Sequence, residues 1–349
     1  MGCIFLEKTK FAVIGCGAIG KVHAHVIDAL PNASLNAIVD TNEESGRAVA
    51  QQYGCEYYSD YEDMLKNADV DVVSVCVPPV LHSPITISAA KAKKHVICEK
   101  PIEVNLERAQ AMVDACKENG VKFGVIMQHR FDKPVVLLQK AVADGRLGRI
   151  LWGSSKTIWY RDEKYFANPQ RGTIKYDGGG ALINQSIHYV DLLMSVLGDV
   201  KSVSGKCRKL RHHQIESEDV GVADVEFKNG AIGTIEGTTA AYPGLYAELC
   251  IYGEKGSVII RNDYLLAYYL ESGKDAEFEA LLNPEKATSL NTSPAVDETS
   301  HSLQYQDFIE AVQTGKEPKV TGEDGLKGLQ LIKAIYQSSD EKREIYIPS

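Results

Sequence analysis

The stretch Lys10-Phe11-Ala12-Val13-Ile14 runs straight into Gly15-Cys16-Gly17-Ala18-Ile19-Gly20, and a helical pattern then continues to about Leu30. A short apolar run that meets G-x-G-x-x-G and opens a helix leaves a chain few folds, because each glycine has its own task. Gly15 allows a tight turn, Gly17 lets the backbone approach a pyrophosphate, and Gly20 lets the helix pack close to the strand. The first helical residues, Ala18 and Ile19, turn amide donors and the positive end of the helix dipole toward a phosphate. The next apolar run, Ser34 to Val39, ends in Asp40, about twenty residues past the last glycine, where an acid accepts hydrogen bonds from the adenosine ribose. The same acid repels a 2′-phosphate, so the expected cofactor is NAD in preference to NADP. Thr41 and Asn42 follow it, and Arg47 stands a turn further on.

More strand and helix patterns alternate after this unit. Helices are expected over Glu43 to Tyr53, Tyr61 to Asn67, Ser83 to Lys94 and Leu106 to Asn119, with strands at Cys55 to Tyr58, Val70 to Val77, His95 to Cys98 and Lys122 to Met127. Alternation of this kind implies a doubly wound parallel sheet. Ligands of such sheets lie at the carboxyl ends of the strands. Cys76, Pro78, His82, Glu99, Lys100 and Gln128 stand at those ends and are candidate cofactor contacts. His82 is equally readable as a residue of the first helical turn. Lys100, followed by Pro101 in a bond that is a candidate for the cis form, points into the expected crevice. The domain boundary is placed after Gln128, giving a dinucleotide domain over 1–128 and a second domain over 129–349.

Beyond Pro134 and a helix over Val135 to Asp144, the patterns change. Val203, Val220 to Phe227, Ala231 to Thr239, Leu249 to Tyr252 and Ser257 to Arg261 are strand-like, with a hairpin turn at Asn229-Gly230. The second domain is therefore expected to be α+β, with a large, mostly antiparallel sheet. Ser272 to Thr299 is polar and reads as a surface excursion, and two helices near Leu303 to Thr314 and Gly325 to Ser338 close the chain. Gly178-Gly179-Gly180 precedes a helix on which Asn184, His188 and Asp191 are spaced to share a polar face. A histidine flanked by an amide and a carboxylate behind a glycine turn is a candidate for proton transfer.

The 349 residues carry a net charge of −9, which argues against nucleic acid or an acidic membrane as partner. No run approaches the apolar length of a membrane span, and residues 1–10 lack a signal-peptide core. The eight cysteines show no CxxC or zinc-like spacing, so no metal site is expected. The expected location is the cytoplasm.

With Gly15-x-Gly17-x-x-Gly20, Asp40, Glu99-Lys100-Pro101 and Gly178-Gly179-Gly180 before His188-x-x-Asp191 in that order, the chain resembles the Gfo/Idh/MocA oxidoreductase family over nearly its whole length. The resemblance implies hydride transfer between NAD(P) and a secondary hydroxyl of a sugar, polyol or nucleotide-sugar. It also implies a homodimer or homotetramer built through the C-terminal sheet. Lys100 matches the family's catalytic lysine and His188 its catalytic histidine. Inositol dehydrogenase-like members carry an aspartate where this chain has Asn184, a catalytic candidate that can orient an imidazole or bind a hydroxyl but cannot stabilise an imidazolium by charge. An asparagine there is similar to enzymes that oxidise C3 of UDP-N-acetyl-sugar acids. Tyr160, Arg161, Arg171, Gln128, Arg130 and Gln185 are candidates for the substrate rim, with Lys100, Asn184 and His188. Two rival readings are an NAD-dependent glycosidase working by transient C3 oxidation and an inactive, NAD-sensing regulator.

Overall fold

The computed structural model describes residues 7–289 and 298–348. The chain forms two units, Met1–Gln128 with Asp297–Leu326 and His129–Val296 with Lys327–Ser349. The first break falls where the sequence pattern changes. The return of 297–326 to the first unit differs from the expected second domain over 129–349.

In the first unit β1 (Thr9–Ile14), β2 (Ala33–Val39), β3 (Glu56–Tyr58), β4 (Val72–Val75), β5 (His95–Cys98) and β6 (Phe123–Val125) form a parallel sheet in the order β3-β2-β1-β4-β5-β6. The order reverses beside β1, and this is where open α/β sheets open a crevice for ligands. The connecting helices are α1 (Ala18–Ala29), α2 (Glu43–Tyr53), α3 (Tyr61–Asn67), α4 (His82–Lys91) and α5 (Leu106–Asn119). Local chemistry sets their ends. Asn42 and Asn105 cap α2 and α5 with side-chain oxygens that accept backbone N–H bonds, while Gly54 and Gly120 close the same helices in the left-handed region.

Two further helices are α11 (Glu298–Thr314) and α12 (Gly322–Glu341). Tyr305, Phe308 and Ile309 of α11 join the core that Phe11, Val13, Ala24 and Ile27 build on one side of the parallel sheet. A stripe of apolar residues announces burial without naming its partner. That is why the sequence could not assign α11 to the first unit. A β-carbon on Gly124 of β6 would lie 3.0 Å from the Phe308 ring, so α11 sits directly against the strand.

The second unit contains β7 (Ile150–Ile158), β8 (Val200–Arg208), β9 (Val220–Phe227), β10 (Ile232–Thr238), β11 (Tyr246–Gly253), β12 (Gly256–Arg261), β13 (Tyr264–Leu270) and β14 (Ile345–Tyr346). They form one sheet in the order β13-β12-β11-β7-β10-β9-β8-β14. Only β7 and β10 run parallel within it. Its helices are α6 (Lys133–Ala143), α7 (Ile174–Asp177), α8 (Ile187–Leu197), α9 (Ala276–Leu281) and α10 (Pro284–Thr288). β7, at the centre of this sheet, was not expected, because Gly153, Ser154, Ser155 and Thr157 do not look like a strand interior. Their smallness has a steric cause. A β-carbon on Gly153 would lie 2.8 Å from Leu193, so α8 packs almost onto the strand backbone. The expected surface excursion over 272–299 is mostly exposed in its described part but is not without regular structure. α9 and α10 lie there, with Phe278 and Ala287 fully buried; residues 290–297 lie outside the described residues. Among the described residues no helix is long and apolar enough to cross a membrane.

If α11 is a core element of the first unit, Phe308→Ala lowers stability by about 3–5 kcal/mol in denaturant unfolding. Leu303→Ala, on the exposed side of the same helix, costs less than about 0.5 kcal/mol.

Candidate active site

The glycine turn has the form its sequence implies. Gly15 sits at φ +98°, and a β-carbon there would approach the Cys76 carbonyl oxygen to 2.6 Å. A β-carbon on Gly20 would meet the Gly15 oxygen at 1.8 Å, so helix and turn touch through backbone alone. Gly17 differs: it is exposed, heads α1, and has open space where a β-carbon would stand. Nothing in the protein itself requires glycine there, which leaves close approach of a ligand as its reason. Ala18 and Ile19 form the first turn of α1. Asp40, at the end of β2, accepts the Cys16 N–H on one carboxylate oxygen at 2.6 Å and the Asn42 N–H on the other at 2.7 Å. Each oxygen keeps lone-pair capacity for a ribose hydroxyl. Gln128 Oε1 is buried without a hydrogen-bond partner among the described residues, an acceptor suited to a donor from a bound molecule. These features fit a dinucleotide.

Three other strand-end candidates have different surroundings. Cys76 is buried, with its sulfur 3.5 Å from Ser74 Oγ. Pro78 is exposed and precedes a single 3₁₀ turn, Pro79–Leu81. His82 is fully buried, Nε2 facing the Val77 carbonyl at 2.9 Å and Nδ1 the Pro101 and Ile102 carbonyls at 3.1 Å. Burial lowers its pKa. The ring ties the turn after β4 to the turn after Lys100, the structural alternative that its place in the helix allowed.

Glu99 and Lys100 follow β5 directly, and the Lys100–Pro101 peptide is cis. Glu99 does not face outward. One carboxylate oxygen accepts a hydrogen bond from His23 at 2.8 Å and the other accepts the Lys100 N–H at 2.9 Å. Burial would raise the carboxyl pKa, but His23, then Lys100 and His301, pull it down to about 2. Lys100 itself is half-buried.

In the second unit the Gly178-Gly179-Gly180 turn approaches protein, not a ligand. A β-carbon on Gly180 would lie 1.8 Å from the Glu218 carbonyl oxygen, and one on Gly179 would lie 2.4 Å from the Tyr336 hydroxyl. The Glu218 carboxylate accepts N–H bonds from Gly180 and Leu182 and an O–H bond from Tyr336, so it anchors the start of the following helix. That helix opens with a π turn, Leu182–Ser186, before α8. Such wide turns shift the phase of a helix and recur at functional sites. From Gly178 to Asp191 only Asn184 and His188 are half-exposed; every neighbour is buried.

Asp191 does not flank His188 as a free carboxylate. It is buried and forms a two-point ion pair with Arg130, at 2.7 and 2.6 Å. The His129 ring also lies beside His188 and meets it edge-on, with centroids 5.1 Å apart. Asp132 and Asp263 hold His129 Nδ1 at 2.8 and 3.2 Å. Burial opposes a charge on His129, but Asp263 and Asp132 outweigh it and hold the pKa well above 6.5. Asp263 reaches the cluster from the β12–β13 hairpin, where Asn262 and Asp263 both adopt positive φ, and it also accepts the Tyr189 hydroxyl at 2.9 Å. The spacing of His129 and Asp132 before α6 was a local signal for this pair. Asp263 offered none.

Around Asn184 lies a cationic and aromatic group. Gln185 donates to Asn184 Oδ1 at 2.9 Å and to the Tyr165 hydroxyl at 3.0 Å, and accepts from Arg161 at 2.7 Å. The Arg171 guanidinium lies 3.9 Å above the Tyr165 ring. Tyr160, with Arg211 5.0 Å from its ring, lines a different cleft with Asp162, Glu163 and Lys164. Burial, with Arg171 adding to it, lowers the Arg161 pKa.

The NAD-binding Rossmann-fold model of one oxidoreductase family matches residues 9–127, and the C-terminal α/β-domain model of the same family matches 139–347. The chain belongs to the Gfo/Idh/MocA oxidoreductase family. It is thus an NAD-dependent oxidoreductase of CH–OH groups, in keeping with the glycine turn and Asp40. Gfo/Idh/MocA relatives include a myo-inositol 2-dehydrogenase from Thermotoga maritima, 29% identical over 96% of this chain and 98% of its own. A 2,7-anhydro-N-acetylneuraminate hydratase from Escherichia coli is 32% identical over 72% of this chain and 67% of its own. Among solved structures, the WlbA dehydrogenase from Bordetella pertussis, in complex with NADH and UDP-GlcNAcA, matches with a TM-score of 0.89 and 33% identity over 98% of this chain and 99% of its own.

Gly17→Ala leaves the thermal midpoint within about 2 °C and weakens NAD binding at least about tenfold, read by calorimetry. Gly20→Ala destabilises the protein itself by about 1–3 kcal/mol, because its methyl group has no room.

Proposed function

We propose that the protein oxidises a secondary ring hydroxyl of an anionic nucleotide-sugar, with UDP-N-acetylglucosaminuronic acid as the prototype. The observation that carries this is the group around Asn184. In a chain of net charge −9, Arg161 and Arg171 gather on the Tyr165 ring beside the amide that replaces the inositol-enzyme aspartate. Guanidinium groups held on aromatic rings suit carboxylate and diphosphate oxygens, while a neutral polyol has no use for them. The likeness to a dehydrogenase crystallised with UDP-GlcNAcA supports the same class.

NAD, when bound, supplies the hydride acceptor. Gly17 and the first amides of α1 bind its pyrophosphate and Asp40 its ribose. Lys100 donates a hydrogen bond to the reacting hydroxyl and stabilises the alkoxide charge that develops there. His188, whose Nδ1 is buried, takes the proton on Nε2. Asn184 holds a substrate hydroxyl, and Gln185 fixes that amide's orientation.

A second reading has one observation behind it, the likeness to a hydratase. In that case substrate oxidation is transient, the hydride returns, and no net NADH forms.

The quaternary reading is a homodimer or homotetramer through the open face of the second unit's sheet. Ile232, Trp152 and Tyr252 are neighbours across three strands there. Trp152 stacks on Tyr252, and Ile232 is 60% exposed. An apolar row of this kind favours a protein partner. Trp152→Glu is expected to lower the assembly mass in sedimentation.

With NAD and a panel of inositols, free sugars and UDP-sugars, UDP-N-acetylglucosaminuronic acid is expected to give the NADH signal. Lys100→Met lowers kcat roughly 100- to 1000-fold. Arg171→Gln raises the KM for the UDP-sugar about tenfold with kcat within about twofold. Turnover of neutral polyols alone would overturn the substrate class.

A further inference from the structure

A second group of titratable side chains lies behind Lys100, in the interior of the first unit, and the mechanism above makes no use of it. His23 of α1 is buried. Its Nε2 donates to Glu99 at 2.8 Å, and its Nδ1 stands 2.6 Å from the Tyr305 hydroxyl of α11. Tyr305 in turn stands 2.6 Å from Ser74 Oγ of β4. The His301 ring, also on α11, meets the His23 ring edge-on at 5.5 Å. Three segments of the first unit thus converge on one carboxylate at the end of a fourth.

The far oxygen of that carboxylate accepts the Lys100 N–H at 2.9 Å. The Glu99 amide still belongs to the sheet, donating to the Val75 carbonyl at 3.0 Å. Lys100 is therefore the first residue whose amide bonds to a side chain in place of the strand ladder. A side chain can be misplaced where a ladder cannot, unless something fixes it. Ionised groups are costly to bury, and apolar residues of similar volume would pack this interior at least as well. The pair remains where it constrains a geometry.

We propose that His23, acting through Glu99, is a positioning residue that sets the backbone of Lys100 at the reaction centre. This rests on the reading of Lys100 as the group that meets the substrate hydroxyl. Burial opposes a charge on His23, but Cys76, Tyr305 and Glu99 outweigh it and hold the ring well above 6.5, while Glu99 is held near 2.

The test is steady-state kinetics with NAD and UDP-N-acetylglucosaminuronic acid, with NAD affinity and thermal midpoint measured on the same samples. A displacement of about 1 Å in a catalytic group costs up to about 100-fold in rate. His23→Asn is thus expected to lower kcat about 10- to 100-fold while NAD affinity stays within about twofold. Glu99→Gln keeps an oxygen for the Lys100 N–H and loses the charge, so about 3- to 10-fold is expected. The double variant falls no more than about twofold below the worse single one, because both act along one path. A folded His23→Asn protein with wild-type kcat, a loss confined to NAD affinity, or additive losses would each overturn the proposal. If His23→Asn does not fold, Tyr305→Phe removes only the hydroxyl on Nδ1: a kcat loss of about fivefold supports the chain, and none overturns it. Lys100→Met, run in parallel, separates the two ideas, since full turnover there refutes the lysine reading itself.

Discussion

A carboxylate buried at the end of a central strand must meet positive charge, and in the first unit that demand falls on Glu99. His23 answers it from α1, the helix that follows the glycine turn, and Tyr305 and Ser74 hold His23 in turn. The contact explains an otherwise odd feature of the chain. α11 returns from a distant part of the sequence and buries Tyr305 among the residues of the parallel sheet. Without that helix the imidazolium would lose its second partner in a medium that penalises unmatched charge. The nucleotide turn, the lysine turn and α11 are in this sense one construction.

The second unit treats its own buried carboxylate differently. Burial raises the Glu218 pKa against the pull of the Gly180 and Leu182 amides and Tyr336. The group serves as an anchor under a helix start that three glycines allow to come close. The π turn then sets Asn184 and His188 outward on a stretch, Gly178 to Asp191, whose other residues are buried. Anchor, wide turn and glycine-lined strand together decide which two side chains of that helix are available for chemistry.

What could be read from the sequence follows the range of the forces involved. The parallel sheet and its helices rest on local periodicity and capping. α2, α3 and α5 have the expected bounds, and the Gly15-to-Gly20 turn has its expected form. Features set by distant residues could not be read. Glu99 beside a lysine looks like an exposed strand end, and only His23, 76 positions away, turns it inward. The ion pair of Asp191 with Arg130, 61 positions away, could not be read either, because spacing names a face but not a distant neighbour. β7 was hidden because the close approach of α8 demanded small residues there.

The chain's membership of an NAD-binding oxidoreductase family and its cationic, aromatic surroundings at Asn184 support the proposal that hydride leaves a ring carbon of an anionic nucleotide-sugar and is retained as NADH. The most direct measurement uses UDP-N-acetylglucosaminuronic acid deuterated on every sugar-ring carbon, with NAD and the wild-type protein, and mass spectrometry of both products. The account predicts one deuterium in the reduced nicotinamide and an oxidised sugar lacking one. A sugar that comes back unoxidised, with no deuterium in NADH, would contradict it.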